Sequence, residues 1–134
     1  MLGRRTYTDD EVAAARSWFA AAVHAYRGLY ADGSGRGADL EHRYAEALVL
    51  SLDRWFVHRL RAVEGNTTNP LTELGLLAES ILAGGTLTAA KGIRYDPAHA
   101  VLGRALGAPV LISVTDAENL ADAVFAELGR TFRG

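Results

Sequence analysis

The sequence contains no cysteine, and this absence excludes disulfide bonds, thiolate metal ligands and cysteine nucleophiles together. It also lacks any apolar run that approaches the roughly 18 residues of a membrane span. We expect no export signal after Arg4-Arg5, because the acidic stretch 8–11 follows where an apolar segment would be needed. The sequence therefore predicts a cytoplasmic protein with no membrane partner.

The charge pattern lacks the basic excess that is typical of nucleic-acid binding. Acidic residues outnumber basic ones 16 to 14, which gives a formal net charge of −2. In a winged-helix arrangement the helix predicted at 71–82 would enter the major groove, yet it contains no Arg or Lys to present to bases. Nucleic acid is therefore the least favoured partner.

What the chain does contain is a globular composition, with 49% hydrophobic and 22% charged residues. A chain of 134 residues can bury about two-thirds of its unfolded surface. We predict a single helical domain spanning residues 1–134, with residues 1–7 as a flexible N-terminal segment. Such a core requires no disulfide bond or structural metal ion for its stability.

Helical periodicity and start signals predict four helices, of which the second is the longest and the most apolar. Its predicted core face carries Tyr44, Leu48, Leu52, Trp55 and Val63. The predicted helices begin at the capping box of Thr8 and Glu11, run from Asp39 to Glu64, run from Asn69-Pro70 to Leu82, and begin at the capping box of Thr115 and Glu118.

Two segments interrupt the helices. The string Asp32-Gly33-Ser34-Gly35-Arg36-Gly37 has the spacing of a phosphate loop, but no strand precedes it, so we interpret it as a flexible linker. Residues 86–115 form an irregular or β insertion, in which 100–105 and 110–114 predict a small hairpin, although 100–106 also fits a helical turn. The fold class is mainly α, a four-helix bundle-like domain with this hairpin or short β-strands between helices three and four.

Arg59 stands out because helical spacing places it on the apolar face of the second helix. A buried charge requires a partner. One interpretation is structural, with a carboxylate such as Glu41, Glu73 or Glu79, or backbone carbonyls at a helix end. The other is functional, with Arg59 binding an anion.

The functional interpretation draws on the neighbours of Arg59. A helix N-terminus with free N–H groups, hydroxyls and nearby guanidinium groups can bind an anion. The candidate ligand-binding residues are Arg59, His58, Arg61, Thr67, Thr68 and Asn69. Each has an ordinary alternative, since Asn69 can cap a helix and arginines suit a helix C-terminus.

The sequence contains few residues in the spacing that catalysis or metal binding requires. The four histidines, His24, His42, His58 and His99, form no H-x-x-x-H pair, and Ser80 is not in a G-x-S-x-G turn. We therefore predict no metal and no cofactor, and the sequence assigns no catalytic residue.

Two functions compete. The first is a non-enzymatic helical module that self-associates as a dimer or binds a partner protein. It rests on Leu50 and Val57, which make the second helix apolar on two sides, and on a small-residue face of the first helix at Ala14, Ala21, Ala25 and Gly28. The second is a protein, conceivably an enzyme, that binds a small anion or a nucleotide at Arg59.

Overall fold

The computed structural model describes residues 3–29, 37–59, 61–89 and 92–132. The glycine-rich linker, up to residue 36, and residues 1 and 2 lie outside this part of the chain. The elements are α1 (Asp9–Leu29), α2 (Gly37–Trp55), α3 (Arg61–Glu64), α4 (Pro70–Leu82), a 3-10 turn (Pro97–His99) and α5 (Val114–Thr131).

Four longer helices pack together, which confirms the predicted mainly α class. Helix α5 contacts α1, α2 and α4, and α2 packs against α1 and α4 as well. The core is formed by one apolar stripe from each helix, represented by Phe19, Leu52, Leu77 and Val124. Within the described ranges, no helix has both the length and the apolar content to cross a membrane.

Two of the four predicted helix starts have the predicted caps, whereas α2 begins at Gly37, two residues before the predicted Asp39. Thr8 and Glu11 exchange side-chain and backbone hydrogen bonds at the start of α1. Asn69 caps α4, and the N3 residue Thr72 completes the box. The predicted box at the start of the last helix is wrong by two residues, because Ser113 and Asp116 form it.

The predicted second helix, 39–64, is divided in the structure. α2 ends at Trp55, residues 56–58 form a turn, and α3 is a single helical turn. The carbonyl of Phe56 accepts both the backbone N–H of Arg59, at 3.2 Å, and its guanidinium, at 2.9 Å. Arg59 therefore bends back onto the chain that precedes it, and this closes the turn.

The predicted hairpin between 100–105 and 110–114 is absent, since the described part of this insertion contains only an isolated antiparallel bridge between Thr86 and Pro109. Side chains occupy the backbone groups that a ladder would need. Arg104 donates to the carbonyls of Leu102 and Leu111, at 3.0 and 2.8 Å. The loop is held by these side-chain contacts together with backbone hydrogen bonds between residues 85–87 and 107–110, and not by a hairpin ladder between 100–105 and 110–114.

Glu73 holds the same loop from the helical side. Glu73 lies on α4 and is 2% exposed. The two carboxylate oxygens accept the backbone N–H groups of Val101, at 2.7 Å, and Leu102, at 2.9 Å. Burial raises the pKa of the Glu73 carboxyl above 4.5, although the two N–H donors oppose this shift.

Residues 3–7 of the N-terminal segment lie against the core, and the flexibility expected of residues 1–7 stays a prediction. The backbone N–H of Arg4 donates to the carbonyl of His58 at 2.6 Å, and that of Tyr7 donates to the carbonyl of Phe132 at 2.7 Å. Tyr7 is buried between aromatic rings. We call residues 3–8 the N-terminal strap.

A pH-dependent stability follows from Glu73. Because its pKa is higher in the folded chain than in the unfolded chain, its contribution to the free energy of unfolding is greatest below pH 4.5 and falls as the pH rises through the folded-state pKa. We expect Glu73→Gln to flatten the pH dependence of stability above about pH 4.5. Urea unfolding of both proteins across this range measures the effect, and parallel curves would contradict it.

Candidate functional site

The Arg59 side chain lies in a cleft between the turn after α2, α3 and the start of α4. It is 8% exposed, and the cleft beside it has a volume of about 170 Å³. Gly75 of α4 gives the guanidinium room, because a Cβ atom at position 75 would lie 3.3 Å from its Nη2. The charge is therefore enclosed by the chain, as the apolar position of Arg59 in the sequence predicted.

The guanidinium is held by carboxylates and carbonyls of its own chain. Nε donates to Glu64, and Nη1 donates to Asp53 at 3.1 Å and to the Phe56 carbonyl. Nη2 donates to the carbonyl of Leu71 at 3.2 Å. Four hydrogen bonds thus engage a group that has five N–H donors. Arg59 therefore makes the contacts that the structural interpretation predicts, with carboxylates and backbone carbonyls of its own chain.

The predicted identities of the carboxylates are wrong. Glu41 accepts the N–H of Val114 at 3.1 Å, and Glu73 binds the 101–102 backbone. Glu79 lines the cleft but is exposed. The partners are instead Asp53 and Glu64, which lie near Arg59 in the chain. The turn after α2 brings them to it, whereas a continuous helix would have kept them apart.

The predicted ligand-binding residues do not converge on one group. His58 is exposed, and the side chain of Arg61 lies outside the described residues. The Thr68 hydroxyl donates to the carbonyl of Arg94 at 3.0 Å and accepts the N–H of Asp96 at 2.6 Å. Thr67 is exposed, and its carbonyl accepts hydrogen bonds from the side chains at 69 and 72.

The N-terminus of α4 has its donors occupied. Pro70 has no N–H, and the Asn69 side-chain oxygen accepts the N–H groups of Leu71 and Thr72 at 2.9 and 3.1 Å. The N–H of Glu73 donates to the Asn69 carbonyl at 2.9 Å. An anion would have to displace these bonds, so the geometry gives the predicted anion site no open cradle.

The electrostatics of the Arg59 cleft also oppose an anion. Two carboxylates, Asp53 and Glu64, surround one guanidinium, and Glu79 adds a third acidic group to the lining. No group of three or more His, Asp or Glu residues among the described residues is placed to hold a metal ion. The cleft is therefore best understood as a structural ion-pair network.

A second surface emerges from the structure at the outer side of α1 and α2. Trp18 and Trp55 are 43% and 42% exposed, and both border one shallow cleft with Ser51 and Arg54. Tryptophan is highly buried on average, so two exposed rings on one surface are informative. We call the surface formed by the following residues the docking face: Ala14, Trp18, Ala21, Ala25, Leu40, Ala47, Ser51 and Trp55.

Three of the eight residues of this face, Ala14, Ala21 and Ala25, belong to the small-residue face that the sequence predicts for the first helix, and all three are exposed. Trp55 was assigned to the core, which is wrong, because α2 ends at this residue and Ala14 opposite is too small to cover the ring. Leu50 is half-buried and Val57 borders the Arg59 cleft, so neither belongs to the face.

Comparison with protein-family models, with curated proteins and with solved structures found no match to this chain.

The structural role of Arg59 predicts that Arg59→Met destabilises the protein by about 3–5 kcal/mol, because two carboxylates and two carbonyls lose their partner. Arg59→Lys retains the charge and should cost less, since it keeps one ion pair but lacks the planar fork. Urea unfolding measures both. A stable Arg59→Met protein that loses affinity for inorganic phosphate would contradict this role and support the anion site.

Proposed function

We propose that this chain is a non-catalytic helical module that associates with a second copy of itself through the docking face. The observation that carries the proposal is the exposure of Trp18 and Trp55 side by side on the outer surface of α1 and α2. Exposed aromatic clusters mark interaction surfaces, and tryptophan is enriched among residues that dominate binding energy. A cytoplasmic location, expected from the cysteine-free sequence, belongs to the same proposal.

The shape of the docking face favours a second copy as the partner. The face carries two large exposed rings and four exposed alanines, whose side chains project much less than the rings do. A two-fold axis through such a face lays the rings of each copy over the alanines of the other. Isologous interfaces require this kind of self-complementarity, because the same patch must serve both subunits.

The charge distribution is consistent with that arrangement. The eight residues of the face are uncharged, and the exposed charges beside them are Arg43, which helical spacing places next to Leu40 and Ala47, and Arg54, which lines the cleft between the two tryptophans. A charge-poor centre with charged residues outside it is typical of protein interfaces. Acidic residues of the first turn of α1, such as Asp10, stand at the end of the face.

The size of the face sets the expected strength. The α1 part from Ala14 to Ala25 and the α2 part from Leu40 to Trp55 each extend about 16–22 Å, and two adjacent helices are about 20 Å wide. Two such faces bury on the order of 1,000 Å², which is the lower limit of specific interfaces. We therefore expect a reversible dimer in the micromolar range instead of an obligate one.

The second predicted function, anion or nucleotide binding at Arg59, stays a prediction that no observation in the structure favours. It needs donors that can meet a ligand, whereas Arg59 and the N-terminus of α4 already donate to their own chain. The cleft also carries more negative than positive groups. These contacts give the self-association proposal priority.

Sedimentation equilibrium tests the proposal. We expect the wild-type chain to dimerise and the double variant Trp18→Ala/Trp55→Ala to dimerise at least about tenfold more weakly, because two desolvated rings are lost from each copy. Leu82→Ala is the matched control, since Leu82 is 75% exposed at the end of α4 and away from the docking face.

A monomeric wild-type chain at concentrations up to hundreds of micromolar contradicts the proposal. So does a double variant that dimerises as strongly as the control. Thermal unfolding of all three proteins shows whether the tryptophan replacements act on association or on the fold, and we expect melting temperatures close to that of the wild type because both rings are largely exposed.

A further inference from the structure

The N-terminal strap is attached to the segment that directly follows the docking face. Arg4 forms a parallel bridge with Arg59 and donates its N–H to the carbonyl of His58 at 2.6 Å. The far end of the strap is fixed to the last turn of α5 through the Tyr7 N–H and the Phe132 carbonyl. The strap therefore spans from the end of α2 to the end of α5.

The Tyr7 ring is the part of the strap that is buried in the core, and it lies near Trp55. It meets the Phe56 ring edge to face, with centroids 5.1 Å apart, and the Phe132 ring at 5.7 Å. Phe56 is 1% exposed and is the residue next to Trp55. Because Tyr7 fixes Phe56, it also fixes the backbone from which the Trp55 ring projects.

Trp55 borders the strap as well as the docking face. A cleft of about 330 Å³ lies between Arg4, Tyr7 and Trp55, and Ala14 of the docking face lines it as well. A different cleft joins Trp55 to Trp18. Trp55 is thus the residue at which the strap and the docking face meet.

Two features of the strap limit how strongly it is held against the core: an exposed ion pair and a buried hydroxyl without a partner. The Arg4 guanidinium pairs with both oxygens of Glu11, at 2.6 and 2.8 Å, but both side chains are well exposed, and such pairs contribute little. The Tyr7 hydroxyl is buried and has no hydrogen-bond partner among the described residues, which costs free energy in the seated state. Release of the strap therefore requires less free energy than its aromatic contacts alone would suggest.

We infer that the strap is a positioning device for the docking face: seating of Tyr7 sets the orientation of Trp55, so that strap seating and self-association favour each other. The inference rests on the proposed function. Coupling between two equilibria is reciprocal. A seated strap strengthens the dimer, and dimerisation holds the strap in place.

The variants Tyr7→Ala and Tyr7→Phe separate this inference from a purely structural role. Tyr7→Ala removes the ring that fixes Phe56, and we expect the dissociation constant of the dimer to rise about tenfold although the docking face is unchanged. Tyr7→Phe keeps the ring and removes the unpaired hydroxyl, so we expect wild-type or tighter association and a higher melting temperature.

Two further variants control for stability. Leu87→Ala creates a cavity at a buried residue outside the strap and the docking face, and it should lower the melting temperature without changing the dissociation constant. Tyr7→Leu keeps an apolar side chain in the place of the ring but loses the edge-to-face contact with Phe56. It should weaken association severalfold even if Tyr7→Ala does not fold.

Amide exchange supplies the reciprocal measurement. We expect exchange of the Tyr7 N–H to slow as protein concentration rises through the dimer range in the wild type, and to stay constant in Trp18→Ala/Trp55→Ala. If the wild type dimerises but Tyr7→Ala and Tyr7→Leu associate as strongly as it does, the strap inference is wrong and the proposed function stands. A wild type that stays monomeric overturns both.

Discussion

The buried guanidinium of Arg59 is the interaction on which the arrangement of the other elements depends. It joins the end of α2 through Asp53 and Phe56, α3 through Glu64, and the first turn of α4 through Leu71. A guanidinium taken from water must recover its lost hydration from partners placed at fixed angles. Four hydrogen bonds from one planar group therefore fix the relative positions of three helices.

That constraint also determines which surfaces the molecule exposes. The chain turns after Trp55 and places Arg59 in its cleft, and the Trp55 ring lies at the surface, where it borders one cleft with Trp18. The same turn presents the His58 carbonyl to Arg4, so the strap binds where the helix ends. The ion-pair network, the exposed Trp55 ring and the attachment point of the strap therefore all lie at or beside the turn that follows α2.

The sequence was sufficient for elements whose causes are local. Thr8 with Glu11 and Asn69 with Pro70 predicted helix starts because capping requires only neighbouring residues.

The apolar position of Arg59 predicted a buried, paired charge. Its partners could not be predicted, since a helix continuing past residue 55 points Asp53 and Glu64 away from Arg59. The hairpin prediction is not supported, because Glu73, which is distant in sequence, and Arg104, which lies within the loop, form hydrogen bonds with the loop backbone. Trp55 looked like a core residue because periodicity does not show where α2 ends.

The absence of native cysteine permits the most direct test of whether a second copy covers the docking face. A cysteine introduced by Ala21→Cys lies on that face, and one introduced by Ala126→Cys lies at an exposed position of α5. The rate of thiol alkylation is measured as the concentration of folded protein is raised into the micromolar range. If a second copy covers the docking face, we expect alkylation at position 21 to slow severalfold while the rate at position 126 stays constant. Rates that are independent of concentration at both positions would contradict it.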